Sequence, residues 1–147
     1  MFIHDISTDI EAPPPFIAVL PAREAAHAAT VVHPGARLAS LQRAAYPDIV
    51  PLMLALPPDE AYRRALVTAE AMPRWTIIAR DREAGRIEAS GRTRWIGFTD
   101  DVVIRVTALG AGSRVDMRSL SRIGQGDLGA NAKRIRTYLT ALRASAG

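Results

Sequence analysis

Proline divides this chain into two differently built parts. Nine of its ten prolines lie in the first 58 residues, and the tenth, Pro73, stands at the end of a helical pattern. Proline removes a backbone donor and disfavours helix in the residue before it. Residues 1–48, which contain Pro13, Pro14, Pro15, Pro21, Pro34 and Pro47, are therefore expected to be irregular, with at most a short alanine-rich helix near Ala22–Thr30. The same stretch holds Phe2, Ile3, Ile6, Phe16, Ile17, Val19, Leu20, Val31, Val32, Leu38 and Leu41, too much apolar surface to leave in water. An extended arm packed on the rest of the chain is the expectation.

From Ile49 the pattern becomes regular. Leu52–Leu56 reads as a short strand, placed at an edge or a strand beginning by Pro51. Pro57-Pro58-Asp59-Glu60 signals a helix start, with acids in the first turn facing the macrodipole. Tyr62, Ala65, Leu66, Ala69 and Met72 then recur at helical spacing until Pro73. Four strands follow, at about Trp75–Arg80, Arg86–Trp95, Asp101–Ala108 and Arg114–Ser121, and their short turns favour antiparallel pairing. Alternation puts Ile87, Ala89, Trp95, Val102, Ile104, Val106, Val115 and Met117 on one face, and Glu88, Arg92, Arg94, Arg105, Asp116 and Arg118 on the other. A last helix is predicted after Asp127, its N-cap, with Leu128, Ala132, Ile135, Leu139 and Leu142 as the apolar stripe. The expected fold is α+β: an antiparallel sheet of about five strands, two main helices on one face, and the proline-rich N-terminal arm. All 147 residues are expected to form a single domain, with 1–48 as arm and 49–147 as body.

Composition narrows the chemistry. A chain of 147 residues that is 48% hydrophobic can bury a core without disulfides or a structural metal. With no cysteine, zinc ribbons, redox dithiols and thiol nucleophiles are excluded. No stretch approaches the roughly 20 apolar residues of a membrane span. The net charge is +4, but the basic residues, all arginine except Lys133, are scattered from Arg23 to Arg143 without interleaved aromatics. Nucleic acid is not the expected partner.

Several constellations could carry chemistry. Gly124, Gly126 and Gly129 satisfy the dinucleotide-binding glycine spacing, but no parallel strand can follow the helix, so a turn delivering the Asp127 cap is the better reading. Backbone donors there, with Arg122 in front and Lys133 and Arg134 behind, could hold a phosphate or carboxylate. Arg105, Asp116 and Arg118 share a sheet face. They are either cross-strand ion pairs or an arginine-lined cleft for an anion. Asp100 and Asp101, with Glu88 on a neighbouring strand, either satisfy backbone donors at a turn or divide acid and base roles. His4, His27 and His33, with Asp5 and Asp9, form no pattern of metal ligands. No serine-hydrolase elbow is present.

Asp5-Ile-Ser-Thr-Asp9 followed by Pro13-Pro14 and Phe16, then Tyr46-Pro-Asp-Ile49, Phe98-Thr-Asp-Asp101, Val102-Val-Ile-Arg105, Asp116-Met-Arg-Ser119, Ser121-Arg-Ile-Gly124, Asp127-Leu-Gly129 and Asn131-Ala-Lys-Arg-Ile135 occur in order. In these motifs the chain resembles the uncharacterised family called domain of unknown function 1499, from about His4 to Leu142. The residues shared with the pattern include Asp5, Ser7, Thr8, Asp9, Asp100, Asp101, Arg105, Asp116, Arg118, Ser119, Asp127, Gly129, Asn131 and Arg134. The resemblance implies a bacterial or plastid protein whose relatives often carry membrane-spanning helices ahead of this domain. It implies no activity, cofactor or catalytic residues.

The resulting expectation is a non-enzymatic binding or accessory domain, membrane-tethered or not according to what precedes Met1. A small anionic ligand would meet Arg105, Arg118, Arg122, Gly124 and Asp127, with no metal and no cofactor. Two alternatives stand beside it. One is a small-molecule enzyme with Glu88, Asp101 or Asp116 as the base. The other is a structural or protein-interaction module in which the shared motifs lock the arm onto the sheet, with Asp5, Asp9 and Arg118 satisfied by backbone and by one another and no cavity left.

Overall fold

The computed structural model describes residues 4–26, 28, 31–93, 98–123 and 129–146. Along the chain these form β1 (Asp5–Ser7), α1 (Leu20–Ala25), α2 (Ala36–Ala45), β2 (Leu52–Leu54), α3 (Pro58–Ala71), β3 (Trp75–Asp81), β4 (Arg86–Arg92), β5 (Thr99–Leu109), β6 (Gly112–Ser121) and α4 (Ala130–Ala146). The six strands make one sheet in the order β1-β6-β5-β4-β3, with β2 also paired to β6. The expected α+β class and antiparallel pairing are found, and the sheet has one strand more than the pattern from Ile49 onward supplies.

The extra strand comes from the arm. β1 pairs with the end of β6 (Asp5 opposite Leu120) and β2 with its beginning (Leu52 opposite Val115), so two short strands share one edge. Thr8 closes the gap between them: its N–H donates to Met117 O, and its Oγ1 accepts from Met117 N–H, each at 2.9 Å. The outer side of β1 is covered by Gln42 of α2, whose amide accepts from Ser7 N–H at 3.1 Å and donates to Ser7 O at 2.6 Å. A side-chain amide thus stands in for a neighbouring strand at an edge that would otherwise be open.

α2 corrects the expectation of an irregular arm. Between Pro34 and Pro47 lie twelve proline-free residues, and ten of them, Ala-Arg-Leu-Ala-Ser-Leu-Gln-Arg-Ala-Ala, are helical. Most are strong helix formers, a signal outweighed in the sequence by the flanking prolines. The short alanine-rich helix occurs as α1, earlier than predicted and with Pro21 at its start. The helix predicted from Leu128 begins at Ala130, because Gly129 has φ +83°, a left-handed conformation that cannot continue into a right-handed helix. The strand predicted over Leu52–Leu56 ends at Leu54. That predicted over Arg86–Trp95 is strand to Arg92, and Arg94 and Trp95 lie outside the described residues.

α3 and α4 cover the predicted apolar face. Ile87, Ala89, Val102, Ile104, Val106, Val115 and Met117 are all buried there, together with Ala61, Ala65 and Ala69 of α3 and Ala132, Ile135 and Leu142 of α4. Tyr138, which the stripe omitted, is fully buried, stacks on Trp75 at 5.5 Å and donates from its hydroxyl to Ala65 O at 2.8 Å, tying α4 to both α3 and β3. Burial pushes its phenol pKa up. The β3–β4 turn is pressed against the sheet at Gly85, where a Cβ would collide with the Val106 carbonyl oxygen.

A charged sheet face beneath the N-terminal arm

The opposite face carries Glu88, Asp101, Arg105, Asp116 and Arg118, and the arm lies across it. Phe16, Val19 and the partly buried Val31 pack on Val103 and Leu120 as a small second core. Around that core are four ion clusters that the strand registers bring together.

In the first, Arg118 donates from Nε and Nη2 to the two oxygens of Asp5 at 2.9 and 2.8 Å, from Nη1 to Pro14 O at 3.2 Å and from Nη2 to Val31 O at 2.6 Å. Its guanidinium lies 4.9 Å from the Phe16 ring centroid. One buried side chain therefore binds β1 and two separate stretches of arm. In the second, Asp116 accepts from Thr8 Oγ1 at 2.7 Å and from Arg114 Nε at 2.7 Å, while Arg105 Nη2 donates to Asp9 at 3.0 Å and to Ala12 O at 3.2 Å. The Asp116 carboxylate raises the Arg114 pKa above its ordinary value.

In the third, Asp101, fully buried, receives Arg23 Nη1 at 2.8 Å, both Nε and Nη2 of Arg122 at 2.9 Å, and Ser90 Oγ at 2.8 Å. The same carboxylate raises the Arg122 pKa. In the fourth, Glu88, also fully buried, accepts the backbone N–H groups of Ile17, Ala18 and Val19 at 2.9, 2.7 and 3.3 Å, the donors of the turn that leads into α1. Arg86 Nε stands 3.4 Å away.

Asp100 points to the helix face instead, as its place next to Asp101 in a strand requires. Arg134 Nη1 of α4 lies 2.7 Å from Asp100 Oδ2, in charge contact though out of line for a hydrogen bond. Arg134 also reaches Ser119 Oγ at 3.2 Å. Ser119 donates to Asn131, and Asn131 donates to Ser121 Oγ at 2.8 Å and to His4 O at 3.2 Å. This polar knot fixes the first turn of α4 to the end of the sheet.

The structure thus brings Asp5 to Arg118, Asp9 and Thr8 to Arg105 and Asp116, Asp101 to Arg122, and Asp100, Ser119 and Asn131 to Arg134. Ser7 is used through its backbone on Gln42 and through its hydroxyl on Asp9 O at 2.9 Å. Gly124, Gly126 and Asp127 lie outside the described residues, as does His27. Among the described residues no group of three or more His, Asp or Glu side chains is placed to hold a metal ion. Arg23, Arg114, Gln42 and Arg86 were missed by sequence reasoning. For Arg23 no local signal exists, because its acid is 78 residues away. Arg114 sits two residues before Asp116, on the same face of one strand, which was a readable signal.

In fold, the chain is similar to the crystal structure of Ara h 8.0201, with a TM-score of 0.50 at 10% identity over 64% of this chain and 92% of that one. Protein CV1439 from Chromobacterium violaceum aligns with a TM-score of 0.45 at 15% identity over 66% of this chain and 94% of that one. No curated protein sequence matches the chain. The family described as protein of unknown function DUF1499 matches residues 5–142, from β1 to the last turns of α4, and the chain belongs to that family.

Proposed function

We propose that this chain is a non-enzymatic accessory or binding domain, in which the arm-side ion network clamps the proline-rich arm to the sheet. The observation that carries the reading is that each acid considered as a base is already engaged. Asp101 holds two arginines and a serine, Asp116 holds Arg114 and Thr8, and Glu88 holds three backbone donors. A catalytic base must reach the proton it removes, and these carboxylates face their own chain.

The anion-binding reading at Arg105, Arg118 and Arg122 meets the same fact from the other side. A ligand there has to displace Asp5, Asp9 or Asp101. Arg118 is almost fully buried, whereas the Arg105 and Arg122 side chains are 25% and 17% exposed. Those two are the guanidiniums an anion could still reach.

The Arg105→Gln and Arg118→Gln variants separate the two readings. Under the clamp reading both lose stability and the arm becomes sensitive to limited proteolysis, while the thermal-shift response to phosphates and carboxylates stays as in the parent. A folded, equally stable double variant that has lost an anion response would replace the clamp with the ligand cleft.

A further inference from the structure

A groove on the other side of the molecule has the makings of a ligand site. α4 presents Arg136, Leu139, Thr140 and Arg143, one helical stripe, toward the segment 48–52 that leads into β2, and a cavity of about 250 Å³ lies between them. From Arg136 to Arg143 is two helical turns, roughly 10 Å. The sides are apolar: Ile49 and Leu52 are buried beneath, while Pro51 and Leu139 are partly covered and Val50 is 54% exposed.

The two ends differ in charge. At one, Arg136 is held by Asp48 through paired hydrogen bonds of 2.6 and 2.7 Å and lies over the Tyr46 ring. That hydrogen-bonded guanidinium lowers the Asp48 carboxyl pKa, and the pair is electrically closed. At the other, Arg143 is exposed and has no acid partner among the described residues, with the Thr140 hydroxyl one turn before it. The groove thus offers a planar cation with no acid partner among the described residues, a hydroxyl, and an apolar trough of limited length. Protein partners cover about 800 Å² per side, far more than this trough. It is also smaller than the pockets that take drug-sized ligands.

We propose that the groove between α4 and residues 48–52 binds a small amphipathic anion, with a carboxylate or phosphate head on Arg143 and Thr140 and a short hydrocarbon tail along Val50, Pro51 and Leu139. This site deepens the binding-domain reading and rests on it. It is separate from the arm clamp, so the two fail independently.

The test is a ¹H–¹⁵N NMR titration of the full chain with octanoate and octyl phosphate, and in parallel with octylammonium, 1-octanol and inorganic phosphate. Saturable shifts at Val50, Thr140 and Arg143 with the two amphipathic anions are expected, and whichever saturates at lower concentration identifies the head group. Arg143→Gln should weaken that binding about tenfold, as loss of a charge-assisted contact does, and Val50→Asn should weaken it through the tail. Both positions are exposed, so the fold is retained, and a thermal melt checks this. Octylammonium or octanol binding as well as octanoate, an unchanged affinity in Arg143→Gln, shifts confined to the arm face, or no saturation up to about 10 mM would each overturn the proposal. In all four cases the clamp keeps its own test in the stability of Arg118→Gln.

Discussion

The two faces of the sheet are both buried, but different chemistry buries them. Under α3 and α4 the contacts are mostly apolar and non-directional, from Ile87, Ile104, Val115 and Met117, with the Asp100–Arg134 knot confined to the end of the sheet. Under the arm they are mostly ionic and directional, from Arg23, Arg105, Arg118 and Arg122 onto Asp5, Asp9 and Asp101. The difference follows from what covers each face. A long helix brings an apolar stripe that can cover a sheet by itself. An arm interrupted by prolines has unsatisfied backbone groups and few consecutive apolar positions, so charged side chains of the sheet have to supply its hydrogen bonds. Arg118 does so for Pro14 and Val31, and Glu88 for Ile17, Ala18 and Val19.

This contrast is open to attack at graded strengths. The largest effect is expected at Asp101. Asp101→Ala leaves Arg23 and Arg122 buried without their acid and should cost about 3–5 kcal/mol in urea unfolding. In the Arg118 cluster, replacing both partners with apolar residues (Arg118→Met with Asp5→Leu) should recover much of what Arg118→Met alone loses, because no uncompensated charge then remains. On the helix face, Ile104→Ala should cost about 2–5 kcal/mol as a cavity, with no such rescue by a second substitution. Equal rescue on both faces would erase the distinction.

Smaller effects sharpen the picture. Tyr138→Phe keeps the stacking on Trp75 and loses the hydrogen bond to Ala65, about 1 kcal/mol in the same assay. His33 tests the arm through pH. Its Nδ1 accepts from Gly35 N–H at 3.1 Å, its Nε2 is buried with no hydrogen-bond partner among the described residues, and burial lowers its pKa below the ordinary value; Asp5 opposes that shift and Arg118 adds to it. A group whose folded pKa lies below its unfolded one takes the proton first when unfolded. Stability from His33 is therefore complete above about pH 6.5 and falls as pH drops toward the folded value. Comparing urea midpoints at pH 7.5 and 5.5 should show a fall that is smaller in His33→Gln. The smallest effect is expected at Asp48, more than half exposed. After allowance for solvent screening, Asp48→Asn should change stability by less than about 0.5 kcal/mol, and less still at high salt.

Much of this was legible from residue order. Among the described residues, alternation in β4, β5 and β6 sorted the apolar positions named for one face from the charged positions named for the other, because a strand has two faces and these two are chemically opposite. Proline and acid placement located the start of α3. Helix α2 was not seen, because the prolines around it outweighed a favourable but unremarked ten-residue window. Of the candidate site, Arg105, Asp116 and Arg118 were correctly grouped on one face by period alone. Their partners Asp5 and Asp9 were legible through the shared family pattern and the arm-locking alternative, Thr8 through the pattern alone, and Arg23 carried no signal as a site residue.

By itself the sequence determined the α+β class, the antiparallel hairpins, the apolar face and the absence of thiol chemistry, since these depend on composition and on periods of two and 3.6 residues that are local. Only the tertiary structure decided what the charged residues do. Whether an arginine binds a ligand or an acid of its own chain depends on which residue the fold delivers to it, and in this chain Asp5 reaches Arg118 across 113 positions. A periodicity of a few residues carries no information about such a meeting; the path of the arm over the sheet creates it.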